Sequence, residues 1–471
     1  MPQDVTRRDF VKSAGAVSTA AAAVTALEGA PAIQTVKAAN NQVQYGVIGT
    51  GSRGQYLLRH TKSIDSGRCV AVCDVFEPNL NAGAQIHNTN PKKFKDYREL
   101  LAQKDVDCVI IATPLYQHFP VTRDALLAGK HVFCEKSLVF KPEEVHALRA
   151  LANERSKQVL QVGLQRRYSK FYQTAKQMVD KGVLGQVTHM SGQWHRNTFS
   201  RDPWNRALPP GTTDRQYNWR KYREFSGGLT AELGSHQIDV ADWMFGSIPE
   251  YVVGVGGLDY IKDGRDIYDN IQLIFKYPKG QKMTYTSMST NQHLALFGGA
   301  RNQFGEMIMG TDGTIEITVG TDDEPAIGLF FREPARTQTT PAGAKKEGPA
   351  VSGASLAGTG SGSKGIPILF EKDEITGKES FIEKELKFAR RWLYSKGVMV
   401  PEEDKNPVDV EMEAFFESVR TSARPKADLE VGLADSTAVI LANLAMDEGR
   451  RIYFSEIDKM GRGEAPKTKK G

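Results

Sequence analysis

The sequence predicts an α/β chain: a doubly wound parallel sheet, then an α+β domain built on a largely antiparallel open sheet. Three observations carry this reading. Short β-rich runs alternate with helical stretches between Val43 and Arg155. The first run opens directly into a glycine turn, Gly49-Thr50-Gly51-Ser52-Arg53-Gly54. Past residue 160 the pattern becomes a succession of β runs with few crossover helices. Alternation of the first kind implies parallel strands with helices on both faces; succession of the second implies antiparallel pairing. A chain of 471 residues also exceeds one ordinary core, so two domains plus tails are expected.

The elements follow in order. Val43–Ile48 is a buried strand, and Gln55–His60 the start of a helix. A lone GxGxxG is weak, but between a strand and a helix it acquires meaning. Gly49 allows the tight turn, Gly51 lets backbone approach a pyrophosphate, and Gly54 lets helix and strand pack closely. The helix start then offers free N–H groups and a positive dipole end to the phosphates, which places Thr50, Ser52 and Arg53 there too. Cys69–Cys73 is a second strand ending in Asp74, about 20 residues beyond the glycines, where an acid meets the ribose 2′-hydroxyl. A carboxylate there repels a 2′-phosphate, which favours NAD, with NADP as the alternative. Val106–Thr113 runs into Pro114, and His131–Cys134 into Glu135-Lys136. Val121–Gly129 lies between them as a helix, and Pro142 opens another over Glu143–Arg155. Ligands of such sheets sit outside the carboxyl ends of the strands, and four strand ends converge here. This is a Rossmann domain, taken as residues 42–160.

Residues 161–452 form the second domain. Tyr251–Val255, Asn270–Tyr277, Lys282–Ser287 and Glu306–Thr318 read as β runs, and His236–Phe245 as an amphipathic helix stopped by Gly246. An open sheet leaves one face for a partner subunit, so a homo-oligomer is expected. Val408, Met412, Phe415 and Val419, then Val439, Ile440 and Leu444, recur at helical spacing as core faces of two closing helices. Residues 333–364, rich in Gly, Ser, Ala, Thr and Pro, read as a mobile insertion, and 453–471 as a tail. The four cysteines, Cys69, Cys73, Cys108 and Cys134, lie in apolar runs and read as small buried hydrophobes; their spacing gives neither a disulfide framework nor a metal site. The net charge of +5 falls partly on the termini and forms no basic block with interleaved aromatics, so no nucleic-acid partner is expected.

Residues 1–38 read as an address. Arg7-Arg8 before Asp9-Phe10-Val11-Lys12, then an Ala-rich stretch from Ala14 to Leu27, is the twin-arginine pattern, with Val36-Lys37-Ala38 as a cleavage point. The expected partner is the twin-arginine translocation machinery and the destination the periplasm. That route carries folded proteins, which suits cysteines buried in a reducing compartment.

The chain resembles the glucose–fructose oxidoreductase / inositol dehydrogenase family in Gly46–Gly51, in Val109–Pro114 with His118, in Gly129–Lys136, and in Gly227-Gly228-Leu229 leading to Glu232-Leu233-Gly234-Ser235-His236. The resemblance implies an NAD(P)-dependent oxidoreductase acting on a sugar or polyol hydroxyl. Thr113, Pro114, His118, Glu135, Lys136 and Gln165 then join the glycine loop and Asp74 around the cofactor. His236 is the implied base, since an imidazole titrates near the working pH. Lys136 is the implied donor to the reacting oxygen, and Glu232 orients His236 or binds a neighbouring hydroxyl. Two positions depart from the pattern: Ser137 stands where the family has proline after Glu-Lys, and Glu232 where it has Asp. Arg166, Arg167 and Tyr168 after the strand Val159–Leu164, His195 after Gln186–Gln193, and Trp219-Arg220 further on are the substrate-side candidates. Aromatic faces beside polar donors suit sugar rings. An exported enzyme meets no dissolved nicotinamide pool, so a tightly held cofactor and a redox-neutral cycle are expected. Two alternatives stand beside it: a glycosidase working by transient oxidation and elimination, and a non-catalytic sugar sensor.

Overall fold

The computed structural model describes residues 42–198, 202–291, 304–318, 327–333, 366–367, 398 and 405–460, all within one compact unit, Val36–Gly471. The export signal (1–38), residues 334–364 of the insertion and residues 461–471 of the tail lie outside the described residues.

The first half alternates strand and helix: β1 (Val43–Ile48), α1 (Ser52–Thr61), β2 (Gly67–Cys73), α2 (Glu77–Ile86), β3 (Lys92–Phe94), α3 (Tyr97–Leu101), β4 (Cys108–Ile111), α4 (His118–Leu127), β5 (His131–Cys134), α5 (Pro142–Glu154) and β6 (Leu160–Val162). The six strands pair in parallel in the order β3-β2-β1-β4-β5-β6. The order reverses between β1 and β4, which opens a crevice at their carboxyl ends. All four residues of β4 are buried, as befits a strand with helices on both faces. The four cysteines are buried and free, and burial pushes the thiols of Cys69, Cys73 and Cys134 up to about 12. They pack as small hydrophobes.

The second half contains α6 (Lys170–Asp180), β7 (Val187–His195), α7 (Asp214–Tyr217), α8 (Ser235–Phe245), β8 (Tyr251–Gly257), β9 (Asn270–Lys276), β10 (Lys282–Met288), β11 (Phe304–Gly310), β12 (Gly313–Thr318), β13 (Ile327–Arg332) and β14 (Ile366–Pro367). Then follow α9 (Pro407–Thr421), α10 (Leu429–Glu448), β15 (Ile452–Tyr453) and α11 (Ile457–Met460). Among the described residues nine strands form one sheet, β14-β13-β12-β11-β7-β10-β9-β8-β15, antiparallel except where β7 meets β10. The single β run expected over Glu306–Thr318 is a hairpin, because Gly310-Thr311-Asp312-Gly313 supplies turn residues in its middle. Residues 453–460, expected as tail, instead add the edge strand β15 to β8 and close with α11.

The two closing helices do different work. Asn406 caps α9 through Val408 N, with Pro407 at the first helical position. This helix crosses back to the first half: Val408, Met412, Phe415 and Phe416 join Val43, Tyr45 and Leu57 in one core. Phe416 packs on Tyr45 with ring centroids 5.0 Å apart, and a Cβ on Gly67 would lie 2.4 Å from the Phe416 ring. Helix α10, capped by Asp428, packs on α5, α8 and β8 and so ties the two sheets together.

Helix α9 also buries Glu411 completely, with neither carboxylate oxygen hydrogen-bonded. Burial, and then Glu135, push this carboxyl well above its ordinary 4.5, against a smaller pull from Arg53. The folded state therefore holds a proton that the unfolded chain releases. Stability falls as pH rises above the ordinary carboxylate value, by up to about 1.4 kcal/mol per pH unit. Glu411→Gln removes that proton uptake. The variant is expected to gain on the wild type as pH rises from 5 to 7.5, measured by thermal unfolding; an offset independent of pH contradicts a protonated Glu411.

Candidate active site

The crevice at the strand ends is built from the glycine turn outwards. Gly49 has φ +90°, and a Cβ there would lie 2.7 Å from the carbonyl of Ala112. A Cβ on Gly54 would lie 1.9 Å from Gly49 O. At Gly51 it would meet only Asn79 Nδ2, at 3.8 Å, so the approach to the turn is clear. No side chain caps α1, so the first N–H groups of that helix point out of the turn. Asp74 closes the turn from the β2 side: its Oδ2 accepts from Thr50 N and its Oδ1 from Phe76 N, both at 2.8 Å. The side chains of Asn79 and Thr50 also hydrogen-bond this carboxylate, so a ribose hydroxyl would share or replace one of these donors. The cradle fits a dinucleotide: bare glycine backbone, a helix start, and an acid at the end of β2.

Arg53 reaches from α1 to the rim of the site. It pairs with Glu135 at 2.7 Å and donates to Gln165 Oε1 at 3.0 Å, linking α1 to the ends of β5 and β6. His118, expected against the cofactor, lies between two backbone carbonyls, with Nδ1 2.7 Å from Ser137 O and Nε2 3.0 Å from Thr113 O, and its one N–H donates to one of them. It clamps the two strand-end loops. The Lys136–Ser137 peptide is cis.

Beyond these loops lies a cavity of about 320 Å³ whose lining includes Arg53, Thr113, His118, Glu135, Lys136, Gln165, Trp194, Arg196, Trp219, Arg220, Glu232 and His236. Lys136 Nζ reaches across to the second half and donates to Ala231 O at 3.0 Å and Glu232 O at 2.5 Å. Both acceptors lie in a wide π-type turn, Thr230–Gly234, that runs into α8. Such turns recur at functional sites because they re-aim side chains. Burial lowers the Lys136 ammonium below 10.5, against the nearby Glu232, Glu135 and Asp435. Burial alone would raise Glu232, but Arg220 and Lys136 outweigh it and hold the carboxylate below 4.5. Its Oε2 accepts from Arg220 Nε at 2.6 Å. Glu232 is therefore tied to Arg220, and no hydrogen bond joins it to His236.

His236 stacks on Trp194, with centroids 5.9 Å apart and planes 28° apart. Its Nδ1 is buried without a hydrogen-bond partner. Burial first, then the positive charges of Lys136, Arg166 and Arg53, push the imidazole well below 6.5. Both effects favour the neutral form of the imidazole.

Of the substrate-side candidates, Trp219 and Arg220 line the cavity. Arg166, Arg167, Tyr168 and His195 do not. Arg166 forms a buried ion pair with Glu306, Arg167 grips Asp239 through Nε and Nη2, Tyr168 is 1% exposed in the core, and His195 turns to Thr286 Oγ1 at 3.0 Å. Period-two alternation explains the last case: Trp194 and Arg196 face the cavity, so His195 between them faces the other way. Asp435 on α10 had no sequence signal. It is buried, accepts from Ser137 Oγ at 3.4 Å, and is pushed well above the usual carboxylate range by burial and by Asp239.

A parallel dinucleotide-type sheet facing an open mixed sheet across a polar cavity defines a two-domain nicotinamide-dependent oxidoreductase. Residues 43–164 match the family model described as oxidoreductase family, NAD-binding Rossmann fold, and residues 172–316 match the GFO/IDH/MocA C-terminal domain, together more than half of the chain. The chain belongs to the Gfo/Idh/MocA oxidoreductase family, and its cofactor is NAD. An oxidoreductase of Synechocystis is 30% identical over 202 residues, 42% of this chain and 50% of the relative. Inositol 2-dehydrogenase of Salmonella typhimurium is 34% identical over 149 residues, 31% of this chain and 44% of the relative. The chain thus spans about half the length of these relatives. The aldose–aldose oxidoreductase of Caulobacter crescentus, solved with glycerol, shares the fold at 19% identity, with a TM-score of 0.62 over 88% of this chain and 99% of the other.

The Gly54 contact generates a prediction. Gly54→Ala forces α1 off the turn, so the affinity for NAD is expected to fall about tenfold or more by calorimetry. An unchanged affinity would mean that the dinucleotide binds elsewhere.

Proposed function

We propose that the chain oxidises a secondary hydroxyl of a sugar or polyol, with Lys136 and His236 acting on the same oxygen. The observation that carries this reading is a neutral, unpartnered imidazole and a half-committed ammonium lining one cavity at the carboxyl ends of the parallel strands. NAD, when bound, supplies the hydride acceptor. Lys136 keeps two N–H groups on backbone carbonyls and has a third for the reacting oxygen, where it stabilises alkoxide character. Since Nδ1 of His236 is sealed from solvent, Nε2 is the atom that takes the hydroxyl proton. Arg220, held by Glu232 and stacked over Trp219 at 4.3 Å, offers its outer N–H groups to a neighbouring hydroxyl. A sensor needs no proton acceptor, so the free imidazole favours an enzyme.

The reading extends to export by the twin-arginine route, a homo-oligomer, and a cofactor retained through the cycle. Exposed Val255 and Ile274 on the outer sheet face support a subunit contact there. With koff near 10⁻⁴ s⁻¹ and an on-rate of about 10⁶ M⁻¹s⁻¹, retention needs a Kd of roughly 10⁻¹⁰ M. The electron pair taken from one alcohol is then returned to a carbonyl, so no external oxidant is consumed.

The test follows the reduced-nicotinamide absorbance of the purified protein as sugars are added. Wild-type protein is expected to carry cofactor and change its redox state with at least one sugar, while His236→Asn keeps the cofactor and turns over about 10²–10⁴-fold more slowly. The pH profile should hold flat through 6.5 and fall only at lower pH, as His236 gains its proton; its alkaline limb should begin below 10.5, as Lys136 loses one. Near-normal turnover in His236→Asn, or an acid limb above 6.5 in the wild type, would remove His236 from the reaction.

A further inference from the structure

We infer that Arg196 is the carboxylate-binding residue of this site, and that the substrate is an acidic sugar, a uronate or aldonate, rather than a neutral one. The inference deepens the oxidoreductase reading and rests on it.

Arg196 directly follows β7. Its guanidinium lies 5.2 Å from the Trp194 ring centroid, on the same tryptophan that stacks against His236. Among the described residues it has no ion pair and no side-chain hydrogen bond; only its backbone N–H is engaged, with Met288 O at 2.9 Å. The other cavity cations all have partners. Arg53 is paired with Glu135, Arg220 with Glu232, and Lys136 with two carbonyls. The nearby carboxylates are spoken for as well: Glu232 by Arg220, and Asp202 by Arg265 and by Trp204 N at 2.8 Å. A guanidinium brings five N–H donors, and leaving them unmet in a partly buried site is costly. Burial already makes the charged form of Arg196 less favourable than that of an ordinary arginine.

The charge balance of the whole cavity points the same way. Arg53, Lys136, Arg196 and Arg220 face only Glu135 and Glu232, while both lining histidines are shifted towards neutrality. The oxidised nicotinamide ring is itself a cation and cannot cancel this excess. Nor is Arg196 placed for the diphosphate. It also lines a smaller recess with Asp202, Trp204, Leu233 and Arg265, to which the nucleotide-binding half contributes nothing. A planar fork with one unmet charge matches a carboxylate, which takes two parallel N–H bonds and carries one negative charge. A phosphate dianion carries a second negative charge, which the one unpaired guanidinium leaves unmatched.

The test titrates the NAD-loaded protein with D-glucuronate and D-galacturonate against D-glucose and D-galactose, reading tryptophan fluorescence, since Trp194 and Trp219 line the cavity. Nicotinamide absorbance is recorded in parallel. At least one acid should bind about tenfold or more tightly than its neutral twin. Arg196→Gln should erase that preference, and Arg196→Lys should keep part of it, because charge survives and the fork does not. Equal affinity for acid and neutral sugar, a preference that survives Arg196→Gln, or tighter binding of glucose 6-phosphate than of either acid overturns the inference. Neutral sugars that reduce the nicotinamide with no preference for acids overturn it while sparing the oxidoreductase. Arg196-dependent acid binding without hydride transfer from any sugar supports the anion site and sinks the proposed reaction instead.

Discussion

The site depends on one contact: the ammonium of Lys136, at the end of β5, donating to the carbonyls of Ala231 and Glu232 in the turn before α8. It joins the dinucleotide sheet to the helix that carries His236, across a sequence gap of 95 and 96 residues. Everything around it holds one of the two ends in place. His118 fixes the β4 and β5 loops through Thr113 O and Ser137 O, and Asn443 on α10 holds the start of the second segment through Gly227 O at 2.9 Å. Without the lysine bridge, His236 and the glycine turn would sit on separate supports, and for the proposed reaction an ångström of drift between them is expensive in rate.

The same contact sets the electrostatics. A cation within a largely dehydrated cleft needs compensation, and Glu232 and Glu135 provide it. Glu232 is ionised because Arg220 shares it; Asp435, buried with one oxygen unmet, favours its neutral form. The imidazole feels the lysine as a positive neighbour and is kept unprotonated. One lysine therefore anchors the geometry and disfavours protonation of the imidazole, and in the proposed reaction it also donates to the reacting oxygen.

Much of this was legible in the residues. The glycine turn, Asp74, and the ends of β4 and β5 follow from local rules, because a strand, a tight turn and a helix start leave local marks. The pairing of Lys136 with His236 was legible only through the family motif, since nothing in spacing alone joins residues a hundred positions apart. Three features could not be read. Helix α9 shows an ordinary amphipathic face, and no pattern says that Phe415 and Phe416 return to β1. Arg166 and Arg167 sit next to a strand end, as cleft residues do, yet Glu306 and Asp239 draw them inward, and long-range charge pairing has no sequence period. Asp435 stands among apolar residues of α10, where a buried acid shows only as an interruption. Arg196 is the intermediate case: the alternation of β7 distinguishes it from His195, once the strand's facing is known.

The central claim is that two nitrogens from different halves of the chain converge on one hydroxyl. A crystal structure of the His236→Asn protein with NAD and the preferred sugar tests it most directly. The account predicts Lys136 Nζ within about 2.6–3.2 Å of one carbinol oxygen, with the substituted side chain at position 236 directed at that same oxygen and the carbinol carbon facing the nicotinamide. A structure in which the lysine and the side chain at position 236 address different hydroxyls, or the nicotinamide lies outside the cavity, would contradict it.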